Sequence, residues 1–208
     1  MSRGEHNPAI EPTASGRKAW VFYPAKAVAR LAFFPFFHLT TEGAEHLPQK
    51  KSFVILSKHQ RWEDIPLLGL ASRRPLYYVA KDELFKAPYR GWLLRSLGGL
   101  PLNRTSPLKS RSSLRSIVEL LRREEGVAVF PEGTYFRDRM GPAHIGIVRL
   151  ILSKTTPPFI PVGIKYCRNA GRVSVRIRFG NPFHKDPSIP ANEFLDRMMK
   201  EIARLSGL

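Results

Sequence analysis

Among its 208 residues the chain has a single cysteine, Cys167, and half as many acidic side chains as basic ones, 17 against 34. One thiol excludes a disulfide framework and a zinc site built on several thiolates, and it suits a reducing compartment. Cys167 reads as a packing residue. The shortage of acid leaves a net charge of +17, so an anionic partner is expected, and both a nucleic acid and an acidic membrane surface fit. Zinc-finger spacing, an aromatic RNA-binding strand signature and a basic helix followed by heptads are all missing, which argues against a basic nucleic-acid-binding protein.

A long uninterrupted apolar run is also missing. The nearest approach is residues 19–39, which hold Trp20, Phe22, Tyr23, Phe33, Phe34, Phe36 and Phe37 but are broken by Pro24, Lys26, Arg30 and Pro35. A membrane-spanning helix needs about 20 mainly apolar residues without central charges. Aromatics at the ends with cations on one face instead predict an amphipathic anchoring segment lying in the headgroup layer. An ordinary amphipathic helix packed on the domain is the alternative, and the prolines permit two short helices. Residues 1–18 have almost no large apolar side chain and read as a disordered leader.

Residues 40–208 alternate short apolar runs with longer amphipathic stretches, the rhythm of an α/β domain. A hydrophobic content of 43% supports one globular unit. Strands are expected at 53–57, 76–80, 127–130, 159–165 and 173–179. Helices are expected at 65–71, 86–97, 110–124, 145–153 and 192–205. The expected fold is a single α/β domain with a mixed central sheet flanked by helices, preceded by the membrane-interfacial helical segment.

Chemistry concentrates where these apolar runs end. After Phe53-Val54-Ile55-Leu56 comes Ser57-Lys58-His59-Gln60-Arg61-Trp62-Glu63-Asp64, which sets an imidazole and a carboxylate five positions apart. A histidine with one nitrogen free and a carboxylate on the other is an oriented general base. The same spacing also suits a plain capping role for Asp64 in the first turn of a helix, with His59 an ordinary loop residue. After Val127-Ala128-Val129 comes Phe130-Pro131-Glu132-Gly133-Thr134, a carboxylate beside glycine-freed backbone at another strand end, or simply a turn. Lys81 and Arg104 close two further runs and are candidate phosphate ligands, each also an ordinary solvated cation. His144, on an expected loop, has no matching carboxylate in sequence and reads as a loop residue.

Taken together and in order, these blocks resemble the glycerolipid acyltransferase family, whose best-known members are 1-acylglycerol-3-phosphate acyltransferases. His59 to Asp64 is similar to its His-x4-Asp block, Lys81 to Arg104 to the second, Phe130 to Thr134 to the third, and Pro158-Phe159-Ile160-Pro161-Val162 to the hydrophobic fourth. The resemblance covers about residues 41–166. It implies that His59, oriented by Asp64, takes the proton of a lysolipid hydroxyl as it attacks an acyl thioester, either acyl-CoA or acyl-carrier protein. Glu132, Gly133 and Thr134 would then position the acceptor, and Lys81 and Arg104 would bind its phosphate. It also implies no cofactor, and work at the cytoplasmic face of an anionic phospholipid membrane. With the one thiol outside the blocks and no Gly-x-Ser-x-Gly elbow present, direct transfer is expected rather than an acyl-enzyme.

One position departs from the family pattern. Where members commonly carry a cation or serine after Phe-Pro-Glu-Gly-Thr, this chain has Tyr135, with Arg137 and Arg139 further on. Either Arg137 swings back to the phosphate, or the acceptor is another lysolipid or glycerol 3-phosphate.

Overall fold

The structure is a computed structural model that describes residues 16–103, 107–168 and 171–208, without the side chains of 107–111 and 168. The expected leader lies almost wholly outside the described residues, as does Arg104.

The chain runs α1 (Ala19–Phe33), β1 (Phe37–Glu42), β2 (Phe53–Ser57), α2 (Asp64–Ala71), β3 (Leu76–Lys81), α3 (Pro88–Ser96), β4 (Gly99–Leu102), α4 (Pro107–Arg122), β5 (Gly126–Val129), α5 (Gly146–Lys154), β6 (Phe159–Arg168), β7 (Val173–Phe179) and α6 (Ala191–Ser206). The strands form one seven-stranded sheet in the order β1-β7-β6-β2-β5-β3-β4. Only β6 and β7 pair antiparallel, so the sheet is mixed, as expected.

Two strands differ from the expectation. Phe37 to Leu39, assigned to the anchoring segment, belong to β1, and α1 stops at Phe33 ahead of Pro35. The run from Gly99 forms β4, which contains Pro101. Both are edge strands, and proline, which has no N–H to give a ladder, is tolerated at an edge.

The pleat divides the core between two faces. Phe53 and Ile55 of β2 pack with Leu67, Leu68 and Ala71 of α2, while Val54 and Leu56 face Ile117, Leu120 and Leu121 of α4 and Phe194, Met198 and Ile202 of α6. Phe194, Leu195, Met198, Ile202 and Leu205 make one buried side of α6, which ends on Gly207 in the left-handed conformation. Cys167, expected to pack, is exposed.

Neighbouring β2, β5 and β3 run parallel, so their carboxyl ends open at one edge of the sheet and deliver His59, Glu132 and Lys81 there. On the other side of β2, Gly163 of β6 lets α6 approach closely, because a Cβ there would stand 2.3 Å from the Leu205 carbonyl carbon. Gly163→Ala is therefore expected to cost about 1–3 kcal/mol in urea unfolding by forcing α6 outward. An unchanged midpoint would show that the helix yields freely.

Candidate active site

The loop from Lys58 to Glu63 wraps around a single carboxylate. Asp64, the first residue of α2, is fully buried, and its Oδ2 accepts from His59 Nδ1 at 3.0 Å, from the Arg61 amide at 2.8 Å and from the Gln60 amide. Its Oδ1 accepts from the Tyr166 hydroxyl of β6 at 2.6 Å. Asp64 thus lies in the first turn of α2 but makes no capping bond there, its carboxylate being taken up by the loop before the helix and by Tyr166. A carboxylate already held by amide donors is an acceptor, so Nδ1 carries the ring proton and the Nε2 lone pair is left for chemistry. Among the described residues nothing bonds to Nε2. Burial, and then the charge and hydrogen bond of Asp64, push the Tyr166 phenol far up, keeping it a donor to that carboxylate.

Two aromatic rings fix the plane of the imidazole. Phe130 stacks on it with ring centroids 4.0 Å apart, and Tyr135 meets it edge-on at 4.5 Å. Burial, and then the carboxylates of Asp64 and Glu63, raise the Tyr135 phenol above its ordinary range.

The His59 backbone is held from behind by a group that sequence reasoning missed. Lys58 is 0% exposed, and its ammonium donates to both oxygens of buried Glu132 at 2.9 and 2.7 Å, to the Phe136 carbonyl at 2.7 Å and to the His59 carbonyl at 3.2 Å. Glu132 also accepts from the His59 amide at 3.0 Å and the Gly141 amide at 2.6 Å. Each of its oxygens takes two of these bonds, so Glu132 is a strut beneath His59. The available signal was a lysine one residue after the apolar run Phe53-Val54-Ile55-Leu56, since lysine is almost never wholly buried without a partner.

Beside this frame lies a cleft of about 450 Å³, lined by Lys81, Lys86, Asp82, Glu83, Thr134 and His144 among others, with Glu132 and Gly133 joining it to the base. Gly133 takes a φ of 70°, which lets the turn leave β5 at this point. Lys81 and Thr134, two of the expected head-group residues, both line this cleft. His144, expected to be a plain loop residue, joins them because its amide donates to the Pro131 carbonyl at 2.8 Å. Arg137 stands exposed and does not line the cleft, so the swing back toward a phosphate is absent here.

Known proteins share part of this sequence and its fold. A plant chloroplastic 1-acyl-sn-glycerol-3-phosphate acyltransferase, BAT2 of Brassica napus, is 32% identical over 148 residues, 70% of this chain but only 42% of that protein. The chain therefore spans less than half the length of that relative. A lyso-ornithine lipid O-acyltransferase of Pseudomonas aeruginosa is 38% identical over 79 residues, covering 38% of this chain and 30% of that protein. The crystal structure of the 1-acyl-sn-glycerophosphate (LPA) acyltransferase PlsC from Thermotoga maritima superposes with a TM-score of 0.72 at 24% identity, over 90% of this chain and 79% of the other, and shares the fold. The acyltransferase family model matches residues 38–165, from β1 into β6 and including His59, Asp64, Lys81 and Glu132, and the chain belongs to that family.

Proposed function

We propose that the protein is a membrane-associated O-acyltransferase that moves a fatty acyl group from an acyl thioester, acyl-CoA or acyl-carrier protein, to the free hydroxyl of lysophosphatidic acid. The observation that carries the reading is the His59 ring, with Nδ1 tied to Asp64 and Nε2 unbonded among the described residues, next to a cleft that holds Lys81 and Lys86. As the acceptor oxygen attacks the thioester carbonyl, Nε2 takes its proton and a C–O bond forms. When the tetrahedral intermediate collapses, the C–S bond breaks and the leaving thiolate takes the proton back from the imidazolium. Asp64 supports the transient positive charge. Lys81, Lys86 and His144 supply donors for the acceptor's phosphate, and Thr134 a hydroxyl for its glycerol. No cofactor enters this scheme.

A second acceptor is favoured by two features. Asp82 and Glu83 give the cleft carboxylates as well as cations, and Tyr135 replaces the cation or serine of the family block. Mixed charge of this kind suits a zwitterionic head group, such as that of the lyso-ornithine lipid named for the Pseudomonas relative.

Membrane association rests on α1. Its exposed side carries Trp20, Tyr23, Val28 and Leu31, followed by Phe34 and Phe36, while Phe22 and the half-buried Lys26 face the domain. Lys26 donates to the Ser72 carbonyl at 3.2 Å, and burial, then Arg30, lowers its pKa. An apolar stripe turned outward suits an interfacial helix, and the exposed free thiol of Cys167 suits the reducing cytoplasmic face. Among the described residues no helix is long and apolar enough to cross a membrane.

Free-thiol release from an acyl thioester in detergent tests the reaction. Lysophosphatidic acid is expected to outrank glycerol 3-phosphate and lyso-ornithine lipid as acceptor, and His59→Ala to slow release by about 10²–10⁴-fold while the protein stays folded. Equal turnover by the variant refutes base catalysis, and preference for lyso-ornithine lipid selects the second reading. The strut has its own test in denaturant unfolding. Lys58→Met strands a buried carboxylate and should cost about 3–5 kcal/mol, whereas Lys58→Met with Glu132→Gln should recover part of that loss. Simple additivity of the two substitutions would show that the pair is not coupled.

A further inference from the structure

The outward stripe of α1 does not stop at that helix. On α3, Tyr89, Trp92 and Leu93 fall at i, i+3 and i+4, so they share one side, and that side faces outward. Tyr89 is 91% exposed and Trp92 45%, unusually open for aromatic rings inside a folded domain. The buried side of α3 is made by Gly91 and Ser96, small residues that let the helix lie close to the domain. Leu84, in the turn before α3, is exposed as well.

The two apolar surfaces meet. The rings of Trp20, which is 69% exposed, and Trp92 stand 6.0 Å apart between their centroids, and the Lys18 ammonium lies 5.3 Å from the centre of the Trp92 ring. Exposed Lys86, Arg90 and Arg95 border the same helix. Interleaved aromatics and cations, with no acidic residue between Pro88 and Ser96, match the headgroup layer of an anionic bilayer in both apolar and electrostatic character. Lys86 also lines the cleft, so this surface runs to the edge of the proposed acceptor site.

We propose that α3 is a second membrane contact, and that α1 and α3 together form one bilayer-facing surface holding the cleft against the lipid from which its acceptor comes. The proposal rests on the reading of α1 as an interfacial helix. Residence of Trp92 in lipid separates the two ideas. The full chain carrying Trp20→Phe and Trp62→Phe keeps Trp92 as its one tryptophan, and it is mixed with phosphatidylglycerol vesicles with or without bromine-labelled acyl chains. The expected result is co-sedimentation together with strong quenching of Trp92 by the brominated chains.

Co-sedimentation without quenching overturns the role of α3 and leaves α1 standing. Failure to sediment in the unsubstituted chain removes the interfacial reading of α1 and this inference with it. In that unsubstituted background, Tyr89→Glu with Leu93→Glu is expected to weaken vesicle binding by about tenfold or more, with thiol release in detergent unchanged. Unaltered binding contradicts the proposal. Protection of Trp92 by self-association, seen as a dimer in light scattering without lipid, assigns the surface to a second copy and also contradicts it.

Discussion

The buried ion pair between Lys58 and Glu132 is the constraint on which the site depends. It joins the carboxyl ends of β2 and β5, two parallel strands that are neighbours in the sheet but 74 residues apart at these positions. A charge moved out of water carries a large desolvation cost, offset here by mutual attraction and by hydrogen bonds to every remaining direction. The lysine reaches the Phe136 carbonyl and the glutamate accepts from the Gly141 amide, so two points along the loop after β5 are tied to the same pair. The His59 amide and carbonyl are drawn into it as well. The loop that carries His59 therefore inherits the rigidity of the sheet.

Against that backing, the ring of His59 is set by different forces. Asp64 fixes which nitrogen is protonated, Tyr166 completes the carboxylate's bonding, and Phe130 and Tyr135 fix the ring plane. Tyr135 consequently has a use that a cation in its place would not share, as a wall of the base. Lys81, Lys86 and His144 line the cleft together with Asp82, Glu83 and Glu132, and under the proposed function they would meet the head group.

Much of this was legible in the sequence because it is local. Five strands and the interior helices followed from apolar runs and helical spacing, and His59 with Asp64 from a five-residue interval that one loop can close. What escaped is long-range. The alternation of Phe37, Leu39 and Thr41 in β1 sits directly behind an aromatic helix and merges with it in the sequence, and Pro101 disguises β4. Lys58 looks like a solvated cation until the end of β5 is placed next to it. His144 enters the cleft only because the loop after β5 folds back on Pro131, and the outward turn of Trp92 depends on how α3 lies against the domain.

The proposed reaction needs the Nε2 lone pair of His59, left open among the described residues by the bond from Nδ1 to Asp64, and nitrogen-15 NMR of the histidine side chains reads that tautomer directly. In protein labelled at its imidazole nitrogens, at a pH where the ring is neutral, the geometry predicts that Nδ1 of His59 is protonated and that Nε2 shows the shift of a bare ring nitrogen. Replacing Asp64 by alanine should scramble the two forms. A neutral His59 with its proton on Nε2 in the unsubstituted protein would contradict the assignment, because no lone pair would then face the acceptor hydroxyl.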